Sequence, residues 1–202
     1  MDKGQKTKDN ILLKAMGFAS SYGLENVTIG EIAKLVGMSR TGVISHFKNK
    51  EDMQLAILEF SEKVYRENVT EKIQGKDALS RLESFCDLWI DWVSKLQFKR
   101  KVSCPFVKAA YEYQDRENCA VRDKIVRQQS RLLAFMASFV DECKKEGFFN
   151  ESVDSKEFAF NIYGLYLSYT LSKNLLKDRD SSQMLNSSLR SMIKNSLREK
   201  SI

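Results

Sequence analysis

An all-α fold is predicted by three observations. Apolar residues recur at three- and four-residue spacing through every long segment and never settle into strand-like alternation. A single proline, Pro105, and nine glycines interrupt the 202 residues. Hydrophobic residues make up 43% of the chain, enough for a buried core and too many for a disordered one. The pattern divides into about nine helices: a three-helix N-terminal head over residues 1–50 and a larger helical body over 51–202.

Residues 1–6 are polar and charged and are expected to be poorly ordered. A first helix follows from Thr7 to Tyr22, with Ile11, Leu12, Ala15, Phe18 and Ala19 on one side and Gly23 as its stop. The stretch Thr28 to Lys50 organises everything around it. Thr28 and Glu31 form a T-x-x-E capping box that starts a helix near Ile29, with Ile32, Ala33, Leu35 and Val36 as its apolar residues. Gly37 sits where a sharp turn needs positive φ, and Ser39 offers the N-cap of a second helix, Arg40 to Phe47. That helix turns Val43, Ile44 and Phe47 inward and presents Arg40, Thr41, Ser45 and His46, all able to hydrogen-bond to bases or phosphates. This is a helix-turn-helix, and it points to double-stranded DNA as the partner. Thr28, Lys34 and Ser39 share the candidate face. Gly42 either lets the backbone approach DNA closely or relieves crowding inside the turn.

Asn49 caps a long helix that runs through Met53, Leu55, Ala56 and Leu58 to Val69. Asp77 opens another from Ala78 to Phe98, apolar around more than half its circumference and ended by Lys99, Arg100 and Lys101. Val102 to Tyr113 holds Cys104-Pro105 and a short helix. A long amphipathic helix spans Val121 to Lys145 and stops at Gly147. Asp154 and Glu157 start the next, Ser155 to Leu176, which is apolar nearly all round. A final helix capped by Asp180 or Ser181 carries Leu185, Leu189, Met192 and Ile193 on one face. An all-round apolar helix at the edge of a monomer has a second face that needs a partner. Gly164 and Ser168 put two small residues on one side of it, where another helix can approach closely. Together with Leu185, Leu189, Met192 and Ile193 they define the expected interface of a homodimer, a four-helix contact with twofold symmetry.

Charge and cysteine usage narrow the function. The net charge is +6, and residues 1–50 hold eight Lys/Arg against four Asp/Glu, a basic head on a near-neutral body. Four cysteines are widely spaced, with no C-x-x-C pair and no N-terminal apolar signal segment, as in a reduced cytoplasmic protein. Cys104, flanked by Lys101 and Lys108, reads as a small buried hydrophobe in preference to a redox sensor. The longest uncharged run, Phe158 to Ser172, is too short to span a membrane. With one histidine, His46, and no G-x-G-x-x-G or G-K-[ST] sequence, neither a His-centred catalytic triad, a multi-histidine metal site nor a nucleotide cofactor site is expected. The sequence predicts no enzyme, no cofactor and no metal.

Ile11, Ala15, Gly23, Thr28, Ile32-Ala33, Val36-Gly37-Met38-Ser39, His46-Phe47 and Asn49 to Met53 together resemble the tetracycline-repressor (TetR) family of bacterial transcriptional regulators. The resemblance covers residues 7 to 60. It departs at Ala19, where the family has an aromatic residue, and at Ile44, where a recognition-helix Tyr touches the DNA backbone. Cys104-Pro105-Phe106, Ala109-Ala110, Glu112, Asp115-Arg116 and Ala120 to Asp123 resemble the body of one subgroup. The resemblance implies a homodimeric regulator, a repressor released from a palindromic operator by a small-molecule effector. It implies that the start of the long fourth helix lies near DNA, where Lys48 and Lys50 contact phosphate. It also implies an effector site in the body, for which the aromatic side chains are the candidates: Phe85, Trp89 and Trp92 on one helix, Phe106 and Tyr111 on the next, then Phe135 and Phe139, and Tyr163 and Tyr166. The rival expectation is an all-helical adaptor whose head binds protein instead of DNA.

Overall fold

The computed structural model describes residues 3–90, 92–96, 98 and 102–198, so Lys99, Arg100 and Lys101 lie outside the described residues. The described chain is all-α, with nine α-helices, no strand and one isolated bridge between Phe149 and Leu197. It separates into two compact units. One is Met1–Asn68 with Trp92–Gln129, the other Val69–Asp91 with Ser130–Ile202.

In the first unit, α1 spans Lys3–Tyr22. It starts earlier than expected because local side chains support its first turn: Gln5 Nε2 donates to Asp9 Oδ1 (2.7 Å) and Thr7 Oγ1 to the Lys3 carbonyl (3.0 Å). Ile11, Leu12, Ala15, Met16 and Ala19 are buried, while Phe18 is half-buried and packs on Tyr22 at 4.8 Å. Then come α2 (Ile29–Val36), α3 (Arg40–Ile44) and α4 (Lys50–Asn68). Asn49 Oδ1 accepts from the Asp52 amide (2.8 Å), the cap expected for α4. α6 (Pro105–Tyr113) places Pro105 in its first turn, where the missing N–H costs nothing. α7 (Ala120–Lys145) contributes its first ten residues to this unit and the remainder to the second.

In the second unit, α5 covers Ala78–Ile90; residues 92–96, which belong to the first unit, form turns where a helix to Phe98 was expected. Trp92 (0% exposed) is buried among residues of the first unit, and tertiary burial there overrides the helical periodicity that continues to Leu96. Arg81 of α5 ties to Glu142 (2.8 Å) and Glu146 (3.3 Å) of α7, and Glu146 also accepts from the Ala78 amide (2.7 Å). Gly147, at φ +79°, ends α7, with the Phe148 amide donating back to the Cys143 carbonyl. Asp154 accepts from the amides of Lys156 and Glu157, both at 2.8 Å, and so starts α8 (Ser155–Leu171). α8 then widens into a π-turn, Ser172–Leu176, closed by Lys177 in the left-handed region. α9 spans Ser181–Ser196. Among the described residues no helix is long and apolar enough to cross a membrane.

The all-round apolarity of α8 resolves into two faces. Phe158, Ala159, Ile162, Tyr166 and Tyr169 are buried in the unit. Phe160 (73% exposed), Leu171, Leu175 and Leu176 lie open, together with Ser168.

Candidate DNA-binding surface

Two side-chain caps and one glycine fix the geometry of α2 and α3. Thr28 Oγ1 accepts from the Glu31 amide (3.2 Å), leaving the backbone extended at φ −127°. At the other end Gly37 adopts φ +72°, and the Met38 amide reaches back to the Ala33 carbonyl (3.0 Å). Ser39 Oγ then accepts from the Gly42 amide (3.1 Å) to begin α3. α3 ends at Ile44, three residues short of the expected Phe47. The amides of His46 and Phe47 bond to carbonyls three residues back, and Ser45 Oγ donates to the Gly42 carbonyl, so the chain tightens before the Asn49 cap.

Ile32, Ala33, Val43 and Phe47 are buried between these helices and their neighbours. Leu35 (44% exposed) and Ile44 (53% exposed) are not, although both were expected to face inward. With α3 only five residues long, Val43 and Phe47 fill the inward side and Ile44 turns out to solvent.

Thr28, Lys34, Ser39, Arg40, Thr41, Ser45 and Lys48 are exposed, and Gly42, His46 and Lys50 are half-buried. The Arg40 guanidinium lies over Gly30, with Nη2 3.4 Å from where a Cβ would stand. A Cβ at Gly42 would meet Met38 Cε at 3.2 Å and Ser39 Oγ at 3.3 Å, so the missing side chain relieves crowding inside the turn. Lys34 pairs with Glu31 at 3.0 Å. The Lys48 amide donates to Asp52 Oδ2, which leaves its ammonium at the surface.

Lys50 leads into a network that the sequence reading missed. Its Nζ donates to Glu25 Oε1 at 2.8 Å. The other oxygen, Glu25 Oε2, accepts from Tyr113 Oη (2.8 Å) and Arg116 Nη1 (3.0 Å), and the guanidinium stacks 4.5 Å from the Tyr113 ring centre. Gln54 Nε2 bonds to the Leu24 carbonyl and Tyr113 Oη, both at 3.0 Å. Glu112 accepts from the amides of Leu24 (2.7 Å) and Glu25 (3.0 Å), and Lys108 Nζ donates to the Ser21 carbonyl. α6 thereby grips the loop between α1 and α2. The Lys50 hydrogen bond, joined by Tyr113 and the Lys50 and Arg116 charges against some desolvation, holds the Glu25 carboxyl down to about 2. Burial, and then the neighbouring Glu25, pushes the Tyr113 hydroxyl above its ordinary range, so it remains a donor. The only sequence signal was the Glu112 and Arg116 of the family-like segment, which carries no hint of partners 88 residues away.

The aromatic candidates fall into two groups. In the second unit Phe85 stacks on Trp89 (5.7 Å) and Phe139 (5.3 Å), Phe135 meets Phe139 (4.9 Å), and Trp89 lies against Tyr166 (4.2 Å) and Tyr163 (6.4 Å). In the first unit Trp92 and Phe106 pack on each other and on Tyr65, a ring not anticipated from the sequence. Tyr111 is 59% exposed. Among the described residues, Tyr65 Oη and Trp92 Nε1 are buried without a hydrogen-bond partner. A groove of about 580 Å³ runs between α5 and α9, walled by Glu83 and Asp87 on one side and Arg190 and Lys194 on the other. None of the aromatic candidates lines it.

Leu185, Leu189 and Ile193, expected at a dimer interface, are buried in their own chain, and Met192 is half-buried. A Cβ at Gly164 would meet nothing within 4 Å. No disulfide joins the four cysteines, all of them among the described residues, and burial pushes the Cys86 and Cys143 thiols up to about 12. Among the described residues no group of three or more His, Cys, Asp or Glu is placed to hold a metal.

Two family descriptions match the chain: "Bacterial regulatory proteins, tetR family" over residues 11–57, and "Tetracyclin repressor-like, C-terminal domain" over residues 78–189. The HTH-type transcriptional regulator AcrR of Shigella flexneri is 38% identical over 60 residues, a match that spans 30% of this chain and only 28% of that relative. Among solved structures, a TetR transcriptional regulator from Chloroflexus aurantiacus J-10-fl superposes with a TM-score of 0.85 at 20% identity, covering 98% of this chain and 99% of that one. AibR, solved with isovaleryl coenzyme A and operator DNA, superposes with a TM-score of 0.68 at 19% identity over 93% of this chain and 96% of that one.

Proposed function

Because the chain belongs to the TetR family of DNA-binding transcriptional regulators, we propose that it is a cytoplasmic repressor whose α2–α3 face enters the major groove of a palindromic operator. The observation that carries this reading is the capped α2–turn–α3 unit, which leaves Thr28, Lys34, Ser39, Arg40, Thr41, Ser45 and Lys48 exposed. Arg40 and Thr41 are the base-reading candidates. Lys34, Lys48 and Lys50 are the phosphate contacts, and Ile44 adds an apolar contact to sugar or thymine methyl.

Two copies act together in this reading. Phe160, Gly164, Ser168, Leu171 and Leu175 recur at three- and four-residue intervals along α8 and its π-turn and form an open stripe that a second copy covers. The stripe on α9 is already occupied within one protomer, so α8 supplies most of the apolar contact. A dimer sets two recognition helices about one DNA turn (roughly 34 Å) apart on matching half-sites.

A small-molecule effector shifts the equilibrium to a released state that it binds better. Within the first unit, the Tyr65–Trp92–Phe106 ring cluster supports a flat apolar ligand, and the unpartnered Tyr65 Oη and Trp92 Nε1 support one that carries hydrogen-bond acceptors. AibR was solved with both an acyl-coenzyme A and operator DNA, and a dual occupant of that kind is proposed here without assigning the molecule. The test is selection of bound duplexes from a random pool. A recovered palindrome with half-site centres one turn apart is expected, and recovery of no sequence preference at all overturns the reading.

A further inference from the structure

Among the candidate DNA contacts, Lys50 is distinguished by where its charge is directed. Lys34 pairs with Glu31 on its own exposed helix turn, whereas Lys50 pairs with a carboxylate that has further donors. Glu25 lies three residues before Thr28, the first residue of the proposed DNA-facing unit, and its two oxygens are divided. Oε1 goes to Lys50, while Oε2 goes to Tyr113 and Arg116. Glu112 is adjacent, but it already accepts from the Leu24 and Glu25 amides.

We propose that Glu25 competes with DNA phosphate for Lys50, and that Arg116 sets how strongly it competes. The proposal rests on the reading of the α2–α3 face and the start of α4 as the DNA surface. A phosphate that takes the Lys50 ammonium must displace Oε1 and then stand close to a carboxylate of its own sign. The Lys50 and Glu25 side chains are 42% and 38% exposed, so the pair is solvent-screened and exchangeable, as a competitor has to be. Arg116, also 42% exposed and stacked on the Tyr113 ring, brings a second cation to the same carboxylate. With Arg116 in place, part of the Glu25 charge is cancelled and Lys50 is freer to leave. With Arg116 withdrawn, Glu25 keeps its Tyr113 hydrogen bond but has one cation fewer, so it holds Lys50 more tightly and repels phosphate more strongly. α6 and the residues just after it thus tune non-specific affinity through one carboxylate, without touching DNA.

The experiment measures the anisotropy of a labelled random-sequence duplex titrated with the full chain at several salt concentrations. Glu25→Gln is expected to tighten binding several-fold at low salt and to steepen the slope of log K against log salt by a fraction of the roughly 0.9 per phosphate, as Lys50 passes from a contested phosphate contact to a full one. Glu51→Gln, an exposed carboxylate in the same first turn of α4, sets the effect of merely deleting a negative charge. In the Lys50→Ala background the gain from Glu25→Gln should fall to that of Glu51→Gln. Arg116→Ala should weaken binding several-fold, and Glu25→Gln should cancel that loss. Should circular dichroism show Glu25→Gln poorly folded, Arg116→Ala decides alone: its loss should shrink by more than half in Lys50→Ala. A gain from Glu25→Gln that persists in full without Lys50, or an Arg116→Ala loss indifferent to both partners, overturns the proposal. If Arg40→Ala and Lys34→Ala also leave binding unchanged, the DNA-surface reading itself has failed. If they weaken binding while the Glu25–Lys50 coupling is absent, only the competition has failed.

Discussion

Replacing Gly23 by alanine should cost far more than the same change at Gly37, although both glycines follow a helix in the positive-φ region. Gly37 sits at φ +72° with nothing within 4 Å of a new Cβ. Alanine there carries only the conformational penalty, about 1 kcal/mol. Gly23 sits at φ +97°, and its Cβ would stand 2.6 Å from Glu112 Oε1 and 3.2 Å from Cδ. The Glu112 carboxylate is not free to swing aside, because it accepts from the Leu24 and Glu25 amides at 2.7 and 3.0 Å. Moving it forfeits at least one charge-assisted hydrogen bond, about 1.5–3 kcal/mol. Added to the strain, Gly23→Ala should lose about 3 kcal/mol, roughly 2 more than Gly37→Ala. Urea unfolding at one fixed protein concentration measures both. In a Glu112→Ala background the Gly23 penalty should drop to the strain alone. Equal losses at the two glycines, or a Gly23 penalty indifferent to Glu112, would refute the reasoning.

Arg40→Ala should lose about 1–3 kcal/mol of operator binding and relax selection at one base pair, read by repeating the duplex selection. Ile44→Tyr, at an exposed position, should leave the unfolding midpoint unchanged and tighten binding to all duplexes alike. Gly164→Arg should give a folded protein that sediments as a monomer and binds a full site 10²–10⁴-fold more weakly, the loss of linked binding. Leu189→Glu should instead unfold the chain, because that side chain is only 5% exposed in its own protomer. The depressed Glu25 carboxyl gives stability that is complete above its ordinary 4.5 and drains away as pH falls toward 2. The gap in urea midpoint between the wild type and Glu25→Gln should therefore be constant near pH 7 and narrow steadily below about pH 4.5.

Local chemistry was the legible part of the chain. Thr28, Gly37, Ser39, Asn49, Gly147 and Asp154 each act on backbone groups within a few residues, and each appears in the structure in the role that its sequence context implies. Periodicity was weaker wherever tertiary burial competed with it. α5 is described over Ala78–Ile90, and residues 92–96 form turns around the buried Trp92; nothing in the spacing of Leu88, Trp92 and Leu96 marks that change. The expected inward face of α3 assumed two full turns. A five-residue helix has a narrower inward side, and Ile44 falls outside it. The Glu25 network was out of reach altogether, since a glutamate in a loop and a tyrosine 88 residues later advertise nothing about each other.

The grip of α6 on the α1–α2 loop bears on how portable the head is. A fragment ending at residue 50 would keep α1, α2 and α3 but lose Gln54, Glu112 and Tyr113. The Leu24 and Glu25 amides would then lose their carboxylate acceptor to water, and Glu25 would keep only Lys50. Such a fragment cannot be transplanted onto a foreign scaffold as a ready-made DNA reader. A chimera that exchanges operator preference between relatives has to carry residues 1–68 together with 105–116, or else replace only the outward side chains of α2 and α3 and leave the frame beneath them intact.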